Sequence, residues 1–228
     1  MTADSTADST AAPAPSHLAR VERLALCDAF DRVGPDAPTL CEGWATRDLA
    51  AHLVVRERRP DLAVGILLPP LAGRLERAQR DLSQQPWAEL VEVVRAGPPA
   101  WSPTRLGRVD DLVNTIEMVV HHEDVLRGDG TPGPRRELPA DLDRAVWKAV
   151  RQSARLMFRR ADVGVVLTAP GRGTVTARAR AGEPTVVLTG APLELLLTAY
   201  GRGQAADVTR EGDPAAIERL AATRLGMA

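Results

Sequence analysis

The chain has 228 residues and a net charge of −1 with acids and bases interleaved, so bulk charge gives it no attraction to nucleic acid or to an anionic membrane. Its hydrophobic fraction of 44% is ordinary for a globular protein, but only 3% is aromatic, so the core must be built mainly of Leu, Val and Ala. No apolar run approaches the ~18 residues that a membrane span needs.

Residues 1–16, with their tandem TADS repeat, have no apolar group to bury and read as a disordered tail rather than a secretory signal. Leu18 to Val33 follows a helical period, and Gly34-Pro35 stops it. The loop GPDAPTLCEGWA leads to Thr46, a residue type that caps helices, and RDLAAHLVVRERR then runs to Pro60. Residues 61–73 read as an extended crossover. Leu75 to Leu82 and Trp87 to Arg95 read as helical pieces split by Pro86. After the turn GPPAWSP, Asp110 to Leu126 is the most apolar helix, closed by Gly128. The Gly/Pro run GDGTPGP is the strongest internal boundary. Pro139 then opens a long amphipathic helix, Ala140 to Arg160.

The period changes after that. VGVVLT, TVTARAR and PTVVLTG are short, β-branched and bounded by turns, so they predict three strands in antiparallel hairpins. PLELLLTAYG predicts a helix, ADVTRE a fourth strand, and DPAAIERLAATRL a helix capped by Asp213. The chain thus divides into a mainly helical part, residues 17–128 with helix 139–160, and a small α+β part, residues 161–228.

Helix 110–126 carries the informative anomaly. Asn114, Glu117, His121 and Asp124 fall within an arc of roughly 80° on a helix otherwise built from Leu112, Val113, Ile116, Val119 and Val120. Such a stripe must face water or be satisfied by partners or an ion, because bare burial costs several kcal/mol. Glu117 and His121, four apart, project side by side. On helix 46–59, His52 sits among Leu49, Ala50, Leu53 and Val54. If the two helices face each other, two imidazoles and a carboxylate converge, the usual composition of an open zinc site, although nickel, iron or manganese accept the same donors. A hydrogen-bonded core histidine and a solvated E-x-x-x-H face explain the same spacing, so the residues alone leave both readings open.

Neighbouring residues extend the candidate pocket. Arg56 and Arg59 continue the His52 face and can hold an anionic group, or simply pair with Glu57 or Glu76. Asp124 can orient a histidine or pair with Arg127, and Asn114 can line the pocket or cap a turn. His122 lies about 100° round the helix from His121 and points elsewhere or supports the site from behind. Cys41, in the loop before His52, is a weaker candidate for a fourth ligand. Cys27 and Cys41 are not a metal-type pair, and two free thiols fit a reducing cytoplasm. Lys148 is the only lysine, an Arg preference typical of a high-GC bacterial coding bias.

These residues resemble the DinB-like metal-dependent bundles, in particular the mycothiol-dependent maleylpyruvate isomerase branch. LCEGWATRDLAAHL is similar to that family's Trp-turn-helix-His signature, NTIEMVVHHEDV to its second ligand element, and the bundle-plus-tail plan to its two-domain layout. Within the group, the strings LCEGW, HLVVRERRPD and VHHEDV most resemble an actinobacterial subfamily of metal-binding proteins. The resemblance implies an up-down-down-up four-helix bundle with His52, Glu117 and His121 as the ligands of a divalent metal, zinc foremost. It also implies mycothiol, a low-molecular-weight thiol, as cosubstrate, and makes a homodimer plausible.

Three functional readings follow. The first is a metal-dependent thiol transferase or isomerase acting on a small electrophile. The second is a non-catalytic metal-binding or sensing protein, its site closed by Cys41, Asp124 or His122. The third is a metal hydrolase with Glu123 or Asp124 as base.

Overall fold

The structure is a computed structural model, and it describes residues 17–63, 72–102, 107–132 and 136–226. The predicted tail and most of the predicted crossover lie outside these residues. Nine helices and four strands are seen among the described residues: α1 (Leu18–Val33), α2 (Thr46–Arg58), α3 (Pro60–Ala63), α4 (Ala72–Ser83), α5 (Trp87–Ala96), α6 (Gly107–Leu126), α7 (Ala140–Met157), β1 (Gly164–Ala169), β2 (Gly173–Arg178), β3 (Thr185–Thr189), α8 (Pro192–Ala199), β4 (Thr209–Glu211) and α9 (Pro214–Ala222). A short helical turn thus stands at 60–63, where the sequence reads as extended.

The apolar stripes sort into two cores. Leu26 and Phe30 of α1, Leu49 and Leu53 of α2, Leu90 and Val94 of α5, and Met118 and Val125 of α6 form the first. Phe30 and Trp87 meet edge to face, with ring centroids 5.5 Å apart. The second core gathers Val146, Val150 and Met157 of α7, Val165 and Leu167 of β1, Leu188 of β3 and Leu195 of α8. Val119 and Val120 of α6 also belong to it, so this one helix faces both cores. Helix α7 packs in the second core, where its stripe of Leu142, Val146, Val150 and Met157 joins the apolar residues of β1 and α8 and Val119 and Val120 of α6.

The sheet order is β2-β1-β3-β4. β1 and β2 form the expected antiparallel hairpin, with Leu167 opposite Val175, and β4 pairs antiparallel to β3. β3, however, runs parallel to β1, Leu167 lying beside Leu188. The chain leaves β2 at the start of β1 and crosses that end before pairing on its other side, so a hairpin between β2 and β3 is ruled out. The crossing is close: the Gly164 N–H donates to Pro184 O (2.9 Å), and a Cβ at Gly164 would meet Thr185 Oγ1 at 2.4 Å.

Local capping differs from expectation at α2. Thr46 lies inside the first turn and its hydroxyl donates to Gly34 O (2.5 Å), while Asp48 accepts from the Ala45 N–H (3.0 Å). Asp213 caps α9 as its sequence suggests, accepting from the Ala216 N–H. The loop between α1 and α2 is pinned to the C-terminal end of α6. The Leu40 N–H donates to Asp124 O (3.0 Å), and a Cβ at Gly128 would stand 2.0 Å from Pro38 O. Only glycine allows this approach, which sets Cys41 and Trp44 beside the polar stripe of α6.

Candidate metal centre

Helix α2 presents His52 and helix α6 presents Glu117 and His121 to one point. Glu117 Oε1 lies 3.1 Å from His121 Nε2 and 3.7 Å from His52 Nε2, and the donor atoms of the three residues all fall within 4.8 Å of one another. The imidazole rings stand edge to face, with centroids 5.5 Å apart. The side chains keep a little exposure (14% for His52, 24% for Glu117, 10% for His121), so the group borders solvent.

Each donor is held from behind. Gln79 of α4 places Nε2 3.0 Å from His52 Nδ1, and Trp44 packs its ring 5.2 Å from the His52 ring, leaving Nε2 turned to Glu117. The His121 Nδ1–H donates to Asp124 Oδ2 (2.9 Å). Asp124 is itself clasped by Arg202, which lies beyond α8 and donates through Nε and Nη2, both at 2.8 Å. Arg56 reaches Glu117 with Nε (3.2 Å) and donates to Asn114 Oδ1, and Asn114 donates to Asp110 (2.7 Å).

The electrostatics follow from these contacts. Burial disfavours a charged Glu117, yet hydrogen bonds from His121 and His52 outweigh it and hold the carboxyl well below its usual range. For His121, burial is likewise outweighed by bonds to Asp124, Cys41 and Glu117, which raise its pKa well above the usual imidazole value. Burial prevails at His52 and lowers its pKa, favouring the neutral ring. At Asp124, burial is outweighed by His121 and Arg202, and the carboxyl falls to about 2.

This donor set fits a divalent cation on its chemistry. Both His121 nitrogens face carboxylates, so the cation-free ring keeps a second proton at Nε2, the position where a metal would replace it. A neutral His52, an ionised Glu117 and a carboxylate behind His121 are the states that such a ligand set needs.

The other sequence candidates are placed less centrally. Arg59 pairs with Asp61 at the surface (2.8 Å). His122 turns away and meets Glu22 of α1 through Nδ1 (2.8 Å) within a buried ionic chain. There Arg136 bridges Glu22 and Glu123, and Arg127 joins Glu123 to Glu194 of α8. Cys41 Sγ lies 3.2 Å from Asp124 Oδ2 and 3.4 Å from Arg202 Nη2. With His121 and Asp124 it forms a second set of donors within 4.8 Å. Sequence reasoning missed Gln79 and Arg202, whose contacts join helices or domains far apart in the chain and carry no local motif.

No protein-family model matches the chain, and no curated protein matches it in sequence. Two solved structures match it in fold. One is the mycothiol-dependent maleylpyruvate isomerase (TM-score 0.57, 17% identity) and the other a histidine-to-alanine mutant of the same protein (TM-score 0.58, 17% identity). Each match covers 85% of this chain and 90% of the other. The chain has the maleylpyruvate isomerase fold. The likeness extends through the helical bundle into the C-terminal α+β part, so the maleylpyruvate isomerase fold accounts for both cores. Among the described residues, no helix is long and apolar enough to cross a membrane.

Proposed function

We propose that the chain is a divalent-metal-dependent enzyme in which His52, Glu117 and His121 hold the metal, zinc foremost, and a low-molecular-weight thiol, mycothiol, is the cosubstrate of an isomerisation or transfer on a small electrophile. The carrying observation is the convergence of two imidazoles and one carboxylate from α2 and α6, their donor atoms within 4.8 Å at a partly open position. A cation held there would stabilise the thiolate of a bound thiol at neutral pH.

The surrounding residues have separable roles in this reading. Arg56, beside Glu117 and a fifth exposed, is the guanidinium placed to receive an anionic group of the substrate. Asn114 fixes Arg56, and Gln79 and Trp44 fix the His52 ring. Asp124 and Arg202 fix His121. The fold likeness to a mycothiol-dependent isomerase supports the thiol and the reaction class.

The competing readings meet specific obstacles. A hydrolase base at Glu123 or Asp124 is disfavoured because guanidiniums hold both, Arg127 and Arg136 on Glu123 and Arg202 on Asp124. A site closed by Cys41 and Asp124 would set a cation beside the Arg202 guanidinium, which already holds both oxygens of Asp124.

Elemental analysis of the purified protein tests the proposal. About one divalent metal per chain is expected, lost in His52→Ala and in Glu117→Gln, together with mycothiol-dependent turnover of a maleylpyruvate-type substrate. Full metal content in both variants would sink the assignment of ligands. Metal content without thiol-dependent turnover would favour the non-catalytic reading.

A further inference from the structure

A cavity of about 680 Å³ lies between β3, α9 and the segment that follows α8 on one side and Leu40, Gly130 and Pro132 on the other. None of His52, Glu117 and His121 lines it, so it is distinct from the metal cluster. Its volume is in the range of small-molecule sites, which enclose roughly 300–1,000 Å³ and combine apolar walls with a few polar groups. Leu188, Ile217, Leu220 and Leu225 supply apolar wall, and Arg202 and Arg210 supply charge. Among the described residues, no Asp or Glu lines it.

The two guanidiniums differ in what they leave free. Arg202 is committed to Asp124 and to Tyr200 O. Arg210 donates only to backbone carbonyls, Val208 O (3.4 Å) and Gly203 O (2.8 Å), and has no acidic partner among the described residues. A guanidinium carries five N–H donors in a planar fork that matches a carboxylate.

We propose that this cavity binds a small amphipathic carboxylate, its apolar body against Leu188, Ile217 and Leu220 and its carboxylate on Arg210. Asp124 neutralises Arg202, but Arg210 meets no acid among the described residues, so an anion is favoured over a neutral or cationic molecule of the same shape. The site also communicates with the metal cluster. Arg202 in its wall holds Asp124, and Asp124 holds His121 Nδ1, so an occupant that shifts Arg202 acts on a metal ligand through two hydrogen bonds.

Calorimetric titration with octanoate, and with octanol as the neutral analogue, tests the site. The titration uses full-length protein with and without EDTA treatment, so its outcome does not depend on whether a metal binds. Saturable octanoate binding is expected, weakened about tenfold or more when the carboxylate is replaced by the alcohol or when Arg210 is replaced in Arg210→Gln. Ala221→Trp, an exposed position of α9 that lines the cavity, should fill it and abolish binding while circular dichroism stays unchanged. Octanol binding as tightly as octanoate would overturn the proposal, because the cavity would then be an unselective apolar surface. Wild-type affinity in both variants, or no saturation, would overturn it as well.

Discussion

Cys27 packs in the first core beside Leu26, Phe30 and Val91, and burial pushes its thiol up to about 12 from an ordinary 9.0. The folded protein therefore keeps a proton that the unfolded chain releases. The associated stability is complete below pH 9 and is lost as the pH rises from about 9 to about 12, by roughly 4 kcal/mol if the full shift applies. The chain has one lysine and one tyrosine, so few other groups titrate in that window. Burial raises Tyr200 in the same sense. Urea denaturation at pH 7 and pH 10.5 should show a marked loss of stability in the wild type and a smaller one in Cys27→Ala. An equal loss in both would mean that water reaches the thiol. The candidate ligands are legible in the sequence at this scale, because His52, Glu117 and His121 stand out as polar groups on apolar helices. Arg202 is not legible, since its partner Asp124 is 78 residues away and only the tertiary fold joins them.

Helix α6 and the residue that follows it carry an unusual load of buried polar side chains, including Glu123, Asp124 and Arg127. Arg127 is the best satisfied of them, donating to Glu123 (2.7 Å), to both Glu194 oxygens (2.8 and 2.9 Å) and to Ala205 O (2.8 Å). Removing one partner of a buried ion pair leaves uncompensated charge and typically costs about 3–5 kcal/mol. Arg127→Met should therefore lower the melting temperature by roughly 10 °C, read by calorimetry. Arg127→Met combined with Glu194→Gln should recover part of the loss, and no recovery would mean that the pair is not coupled. Element types were legible from period: the 3.6-residue stripes of α1, α5 and α7, and the β-branched runs of β1 to β3. The pairing of β3 was not, because alternation marks a strand without specifying its neighbour. The seat of α7 was hidden for a similar reason: an apolar stripe does not state which core it will fill.

The two cores share α6, with Met118 and Val125 in one and Val119 and Val120 in the other, and the ionic chain from Glu22 to Glu194 crosses between them. Unfolding either core exposes apolar surface and buried charge belonging to the other, so the molecule should unfold in one transition. Tryptophan fluorescence and far-ultraviolet circular dichroism should give the same urea midpoint. Trp147→Phe, which leaves Trp44, Trp87 and Trp101 of the helical part as reporters, should keep the two probes coincident. Separate midpoints would show that the cores unfold independently. The Gly/Pro run after α6 is plain in the sequence, but the helix shared by the two cores is not, since such a run marks where the chain turns and not where the packing ends.

The clasp of Arg127 by Glu194, and of Asp124 by Arg202, has a consequence for recombination. A crossover in the Gly/Pro segment after α6 looks harmless in the sequence, yet it would bring together acids and guanidiniums of different parentage. A chimera that inherits its C-terminal half from another lineage would need the last two turns of α6 from that same parent. The heritable unit is therefore not the domain that the linker suggests but a longer block, beginning inside the helix that carries two of the candidate ligands.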